Sequence, residues 1–119
     1  MPLLRPGGTN YIVIRDIPAA TAWYMEKLGM CKIRTGIEDC PECVALGFER
    51  DEYAITLGPA AGPPEELTAM LYSNKVQKAR ELLASRGVRV GEIQQDRQGT
   101  HYFEMQDLEG NVIEITEEP

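Results

Sequence analysis

The sequence predicts an α+β fold made of two βαβββ modules, with helices on one side of curved mixed sheets. Three observations lead there. Two segments read as a strand followed by a helix: TNYIVIRD with IPAATAWYMEKLGM, and LTAMLYSN with KVQKARELLASRGV. Three strand-like runs follow each helix. One gap-free spacing of 58 residues then relates the two halves. It pairs Ile12 with Met70, Ile14 with Tyr72, Asp16 with Asn74, Gly29 with Gly87, Ile55 with Ile113 and Leu57 with Ile115.

LLRPGGTN reads as a flexible approach to the first strand. That strand alternates, with Ile12 and Ile14 on one face. Ile17, Ala20, Tyr24 and Leu28 follow at helical spacing, and Gly29 stops the helix. Trp23 and Tyr24 are expected in the core. Strands over Cys31–Thr35, Cys43–Glu49 and Tyr53–Leu57 complete module one, about residues 9–58. GPAAGPPEE, residues 58–66, is too rich in Pro and Gly for a helix or a central strand and reads as a linker. In module two, about residues 67–117, the spacing puts Met70 and Tyr72 on the helix side. Val76, Ala79, Leu82 and Leu83 form the helical stripe, and Gly87 stops it. Strands are expected over Val88–Gln94, Thr100–Gln106 and Val112–Thr116. Between the last two, Asp107 to Asn111 is a turn, with Gly110-Asn111 suited to positive φ. Ile113 and Ile115 then share one strand face and Glu114 takes the other.

With 119 residues the chain suits one domain, 1–119, with a real core. A net charge of −7 argues against nucleic-acid or anionic-membrane partners, whose recognition rests on positive charge. Lys75, Lys78, Arg80, Arg86 and Arg89 read as the solvated side of a helix. No apolar run reaches membrane-spanning length, and MPLLRPGG lacks the apolar core of a secretory signal, so the expected location is cytoplasmic. Three cysteines in such a chain, Cys31, Cys40 and Cys43, suggest reduced thiols.

Paired βαβββ modules resemble the vicinal oxygen chelate superfamily, which holds glyoxalase, bleomycin-resistance and extradiol-dioxygenase proteins. RDIPAATAWYMEKLGM is similar to the family's opening: a strand ending in Asp, a helix with an aromatic pair, then Leu-Gly. DLEGNVIEI is similar to its closing Asp-Pro-Asp-Gly-Asn and hydrophobic-Glu pair, with Leu108 in place of the proline. The resemblance covers residues 9–117. It implies a concave cavity opposite the helices, lined by Thr9, Tyr11, Val13, Ala54, Thr56, Leu67, Ala69, Leu71, Tyr102, Glu104, Val112 and Glu114. Metal-dependent members imply four ligand positions, usually His or Gln on first strands and Glu on last strands. These fall on Thr9, Thr56, Leu67 and Glu114. Only Glu114 is a ligand-type residue, whereas a divalent metal needs several N or O donors converging within about 2.0–2.6 Å.

Other polar residues carry less. His101, the single histidine, shares strand parity with Phe103 and Met105 and belongs at the edge of the apolar core. Cys40 and Cys43, in DCPEC, lack the helix N-terminus that activates a redox CxxC, and acidic neighbours oppose thiolate formation. They read as a surface loop able to form an adventitious disulfide. No Ser-His-Asp or Cys-His arrangement and no phosphate loop is legible. Tyr11 and Tyr102 could stack on a planar ligand.

The reading is therefore a small-molecule-binding protein like the bleomycin-resistance proteins, without a metal or other cofactor, sequestering a ligand that two carboxylates bias toward positive charge, and acting as a homodimer. The ligand-binding residues would be Thr9, Tyr11, Thr56, Leu67, Tyr102, Glu104 and Glu114. One alternative is an enzyme of the same superfamily, a lyase, isomerase or dioxygenase, with Glu114 as catalytic base or as ligand to a divalent metal. The other is a non-catalytic regulatory or interaction subunit.

Overall fold

The computed structural model describes residues 3–8, 10–37, 40–50, 52–59 and 69–119. In chain order the elements are β1 (Arg5–Pro6), β2 (Asn10–Val13), α1 (Ile17–Leu28), β3 (Cys31–Ile37), β4 (Cys40–Gly47), β5 (Ile55–Gly58), β6 (Ala69–Ser73), α2 (Val76–Ser85), β7 (Arg89–Val90), β8 (Gln94–Gln95), β9 (His101–Gln106) and β10 (Val112–Glu117). They build two mixed sheets. Module one gives the order β2-β5-β4-β3. Module two gives β6-β10-β9-β7, with β1 added beside β6 and β8 paired to β9. The α+β fold of two repeated units is as expected. The run Val88–Gln94 is not one strand: it breaks into β7 and a separate β8 that starts at Gln94.

The local reasons are readable. Asp16 caps α1 by accepting from the Ala19 N–H at 3.1 Å, and Gly29 ends it at φ 72°. α2 has Lys75 at its N-cap, which supplies no side-chain bond. Ala20, Tyr24 and Leu28 turn inward from α1, and Val76, Ala79 and Leu83 from α2. They join Ile12, Leu46, Ile55, Leu57, Leu71, Phe103, Met105, Ile113 and Ile115 in one apolar core. Each fully buried Leu or Ile there contributes about 2 kcal/mol. Trp23 packs edge-on against Tyr24, with ring centroids 5.0 Å apart.

Two expectations are corrected. LLRPGGTN is not merely a flexible approach: Arg5 and Pro6 pair antiparallel with Tyr72 and Leu71. Gly7 allows this, since a Cβ there would lie 2.7 Å from the Met70 carbonyl oxygen. The single spacing of 58 also fails at one strand. β2 lies parallel to β5 with Tyr11 opposite Thr56 and Ile12 opposite Leu57. β6 lies parallel to β10 with Met70 opposite Glu114 and Leu71 opposite Ile115. Leu71, not Met70, is therefore the counterpart of Ile12. A one-residue slip turns every side chain to the other face. Ala69 and Leu71 are buried in the core with Ala54, while Met70 and Tyr72 are half-buried on the face that carries Glu114. The first strands and helix starts follow a spacing of 59, while Gly29 with Gly87 and Leu57 with Ile115 keep 58.

The modules meet within one chain. The Asn10 amide donates to the carbonyls of Ala54 (3.0 Å) and Met70 (2.9 Å) and accepts from the Met70 N–H (3.1 Å). The closing turn also reaches across. Asp107 accepts from the Tyr24 hydroxyl at 2.6 Å, and Glu109 accepts from the N–H groups of Arg15 and Asp16 at 2.8 and 2.9 Å. Where the helices end, Lys27 donates to the Arg86 carbonyl (2.7 Å) and Arg86 to the Lys27 carbonyl (2.8 Å). Among the described residues, no helix is long and apolar enough to cross a membrane.

Candidate functional site

Glu114 stands on the helix-free face because Ile113 and Ile115, its strand neighbours, are fully buried on the other. Its position between β6 and β9 sets its company. Met70 lies opposite it on one side and Glu104 on the other. Thr116 pairs in the same way with Tyr72 and Tyr102. Module one contributes Tyr11 and Val13, both exposed, and the half-buried Thr56 opposite Tyr11.

The electrostatics are unusual for a surface. Two carboxylates stand directly across a strand pair, an unfavourable placement for like charges. Neither Glu104 nor Glu114 takes a side-chain hydrogen bond or ion pair from any described residue. Partial burial first, then the charges of Glu104 and Asp96, push the Glu114 carboxyl above its ordinary value. A carboxylate so placed is suited to accept from a cationic donor, and its raised basicity also suits a general base. Tyr102 is held only loosely, its hydroxyl 3.4 Å from Gln94 Oε1. Tyr11 donates to the Pro59 carbonyl at 2.8 Å, and burial followed by the Glu42 charge raises its phenol above the usual range.

The expected site residues divide cleanly. Glu104, Glu114 and Tyr102 are neighbours on one face, and Tyr11 and Thr56 form a second pair on β2 and β5. Thr9 and Leu67 lie outside the described residues. Ala54, Ala69 and Leu71 leave the site for the core. Met70 and Tyr72 enter it, and the sequence signal that finds them is alignment on the helix starts, Ile17 with Val76, instead of the helix stops.

The donors among the described residues do not fit a metal. Glu114 has a thioether and a second carboxylate as strand partners, and Thr56 has a phenol. No group of three or more His, Cys, Asp or Glu side chains among the described residues is arranged to hold an ion. His101 opens β9 and is exposed instead of lying at the edge of the core as expected, its ring Nδ1 contacting Glu117. Cys40 and Cys43 form the disulfide that their spacing allows, which corrects the expectation of three reduced thiols; Cys31 is free, and the pair sits in β4 and not in a surface loop. Cavities of about 860, 700 and 210 Å³ border the described residues. The first lies at the start of α2, the second between α1 and the β3–β4 edge, the third between the helix ends. Glu114, half-buried on the helix-free face, lines none of these three.

Comparison with known proteins agrees with this architecture. A member of the Glyoxalase/bleomycin resistance protein/dioxygenase superfamily from Sphaerobacter thermophilus has a TM-score of 0.72 at 18% identity, over 92% of this chain and 94% of that one. TnmS3, an antibiotic-binding protein from a Streptomyces species, has a TM-score of 0.71 at 18% identity, over 93% of each chain. Lactoylglutathione lyase from Agrobacterium tumefaciens has a TM-score of 0.69 at 15% identity, over 94% of each. No curated protein matches the sequence significantly. A family profile described as Glyoxalase/Bleomycin resistance protein/Dioxygenase superfamily matches residues 8–115. That match takes in module one, module two as far as Ile115 and the closing DLEGN turn, and the chain belongs to the Glyoxalase/Bleomycin resistance protein/Dioxygenase superfamily.

Proposed function

We propose that this protein binds a small organic molecule bearing a positive charge on its helix-free face, without a bound metal and without turnover. The observation that carries the reading is the Glu104–Glu114 pair: two carboxylates opposite each other, unpartnered by any described residue, and bordered by Met70, Tyr72 and Tyr102. A ligand cation would relieve their mutual repulsion, and the thioether and phenols offer apolar area and stacking surface. The acidic net charge draws such a ligand in from a distance. The antibiotic-binding neighbour of the same fold supports a binding role. A cytoplasmic homodimer is the form in which we expect it to act.

Calorimetric titration with a panel of aromatic ammonium compounds and their neutral isosteres tests this. Binding of the cations alone, weakened at least tenfold by Glu114→Gln, supports it. Stoichiometric Zn²⁺, Ni²⁺, Mn²⁺ or Fe²⁺ retained through desalting overturns it. A catalytic reading is favoured by one observation, the raised basicity of Glu114, which suits proton abstraction. Turnover of a lyase substrate that Glu114→Gln abolishes would establish that reading.

A further inference from the structure

The Cys40–Cys43 disulfide lies where the helix-free face of module one ends. Between the pairs Thr35–Val44 and Ile37–Cys40 the ladder advances two residues along β3 and four along β4. The chain at Pro41–Cys43 therefore bulges from the sheet, and the disulfide closes the bulge. Cys43 is 2% exposed, whereas Cys40 is partly open to solvent. The Cys43 sulfur sits 3.9 Å from the Tyr11 hydroxyl. Gly58 completes the contact: a Cβ there would stand 2.7 Å from that sulfur and 2.1 Å from the Tyr11 oxygen. Sulfur, phenol and bare backbone thus pack against one another with no slack. The Glu42 charge, within the bulge, also acts on the Tyr11 phenol. Pro41 and Glu42 border the cavity of about 700 Å³ between α1 and the β3–β4 edge, so a change in the bulge has room to occur.

We propose that Cys40–Cys43 is a thiol-exchangeable switch that sets the position of Tyr11. A small-molecule thiol attacks the accessible Cys40 sulfur as thiolate. The new mixed disulfide forms as the Cys40–Cys43 bond breaks, and Cys43 leaves as thiolate and takes a proton. A second thiol attacks the mixed disulfide, releases the oxidised disulfide of the two reductants and leaves Cys40 as a thiol. Two thiols are oxidised and one protein disulfide is reduced. With the sulfurs no longer joined, the bulge relaxes toward the cavity and the Tyr11 ring loses its support. Because Tyr11 belongs to the proposed ligand face, redox state would then tune that face, a consequence that rests on the proposed function.

The test uses the full chain with ¹³C-labelled tyrosine rings, free of ligand. Under native conditions the oxidised protein should titrate one thiol, Cys31, and the reduced protein three. Millimolar reduced glutathione should shift the Tyr11 ring signals while those of Tyr24 and Tyr72 stay in place, and oxidised glutathione should restore them. The double variant Cys40→Ser/Cys43→Ser should show the reduced Tyr11 signal and no response to either reagent. A disulfide that resists glutathione, a Tyr11 signal that does not move on reduction, or loss of all tyrosine signals together would each overturn the switch. No ligand enters this measurement, so its failure leaves the proposed binding function standing, and failure of the ligand titration leaves the switch standing.

Discussion

Helix α1 begins under two carboxylates, whereas the N-cap residue of α2 offers no side-chain acceptor. Asp16 caps α1 from within, and Glu109 reaches over from the other module to hold the N–H groups of Arg15 and Asp16. At α2 the N-cap is Lys75, whose side chain makes no capping bond, and Ser73 Oγ accepts from the Lys75 N–H at 3.1 Å. In the corresponding connection of module one, the Glu52 N–H donates to the Glu49 carbonyl at 3.2 Å, and no side-chain bond to the other module is seen there among the described residues. The repeat is thus symmetric in its elements and asymmetric in its fastening. One end is locked, and beside the other, at the start of α2, lies the cavity of about 860 Å³.

Breaking the locked end should have the largest effect. Asp107→Ala removes an acceptor that serves Tyr24, Glu109 and Asn111 together and should cost about 3–4 kcal/mol in urea unfolding. Tyr24→Phe should cost about 1.5 kcal/mol. Burial, followed by the Asp107 charge and hydrogen bond, pushes the Tyr24 phenol far above its ordinary value of 10. The unfolded chain therefore ionises first as pH passes that value, stability falls, and Tyr24→Phe should flatten this alkaline loss. A variant as stable as the parent at pH 7 and pH 11 would show that the turn holds nothing.

Cutting the junction ranks second. Asn10→Ala leaves the Met70 N–H and two carbonyls without the amide and should cost about 2 kcal/mol by the same measurement. Exchanging the fastenings ranks third. Asp16→Ala should cost about 1 kcal/mol, while Lys75→Asp should gain about 0.5–1 kcal/mol by giving α2 the cap it lacks. Equal and opposite thermal shifts would sharpen the comparison, and a loss in both would defeat it.

The smallest effect contrasts two glutamates. Backbone N–H bonds from Arg15 and then Asp16 lower the Glu109 carboxyl, so its contribution is present above the unfolded value and lost as pH falls through the folded one. Glu114 is raised, so its contribution is present at low pH and lost as pH rises through its folded value. Glu114→Gln should therefore stabilise the empty protein at pH 7 by about 0.5 kcal/mol, the scale of a cross-strand like-charge pair. Glu109→Gln should flatten the acid limb of the stability profile. Matching slopes in the two variants would contradict these assignments.

Much of this architecture is legible in the amino-acid sequence. Helical stripes, their glycine stops and the alternation of Val112–Thr116 follow from periodicity, and they place both helices and the Glu114 face. The register of β6 is not legible, because Ala69-Met70-Leu71-Tyr72 is apolar on both faces and alternation cannot choose between them. Pairing of β1 depends on an edge offered by Leu71 and Tyr72 and has no local signal in Arg5-Pro6. The disulfide needs a bulge to bring its cysteines together, and a bulge is set by pairing with β3. Among site residues, Glu104 and Glu114 stand out because both lie on clearly alternating strands, while Met70 and Tyr72 are lost with the register.

Lys27 and Arg86 lie 59 residues apart, the spacing of the first strands, and each donates to the other's carbonyl. Equivalent residues that exchange equivalent bonds mark a local two-fold axis, so this contact is isologous within a single polypeptide. Each helix receives at its negative end a cation supplied by its counterpart. Prying the halves apart would strip both termini in one event, so the halves should open together in native-state hydrogen exchange and not one after the other.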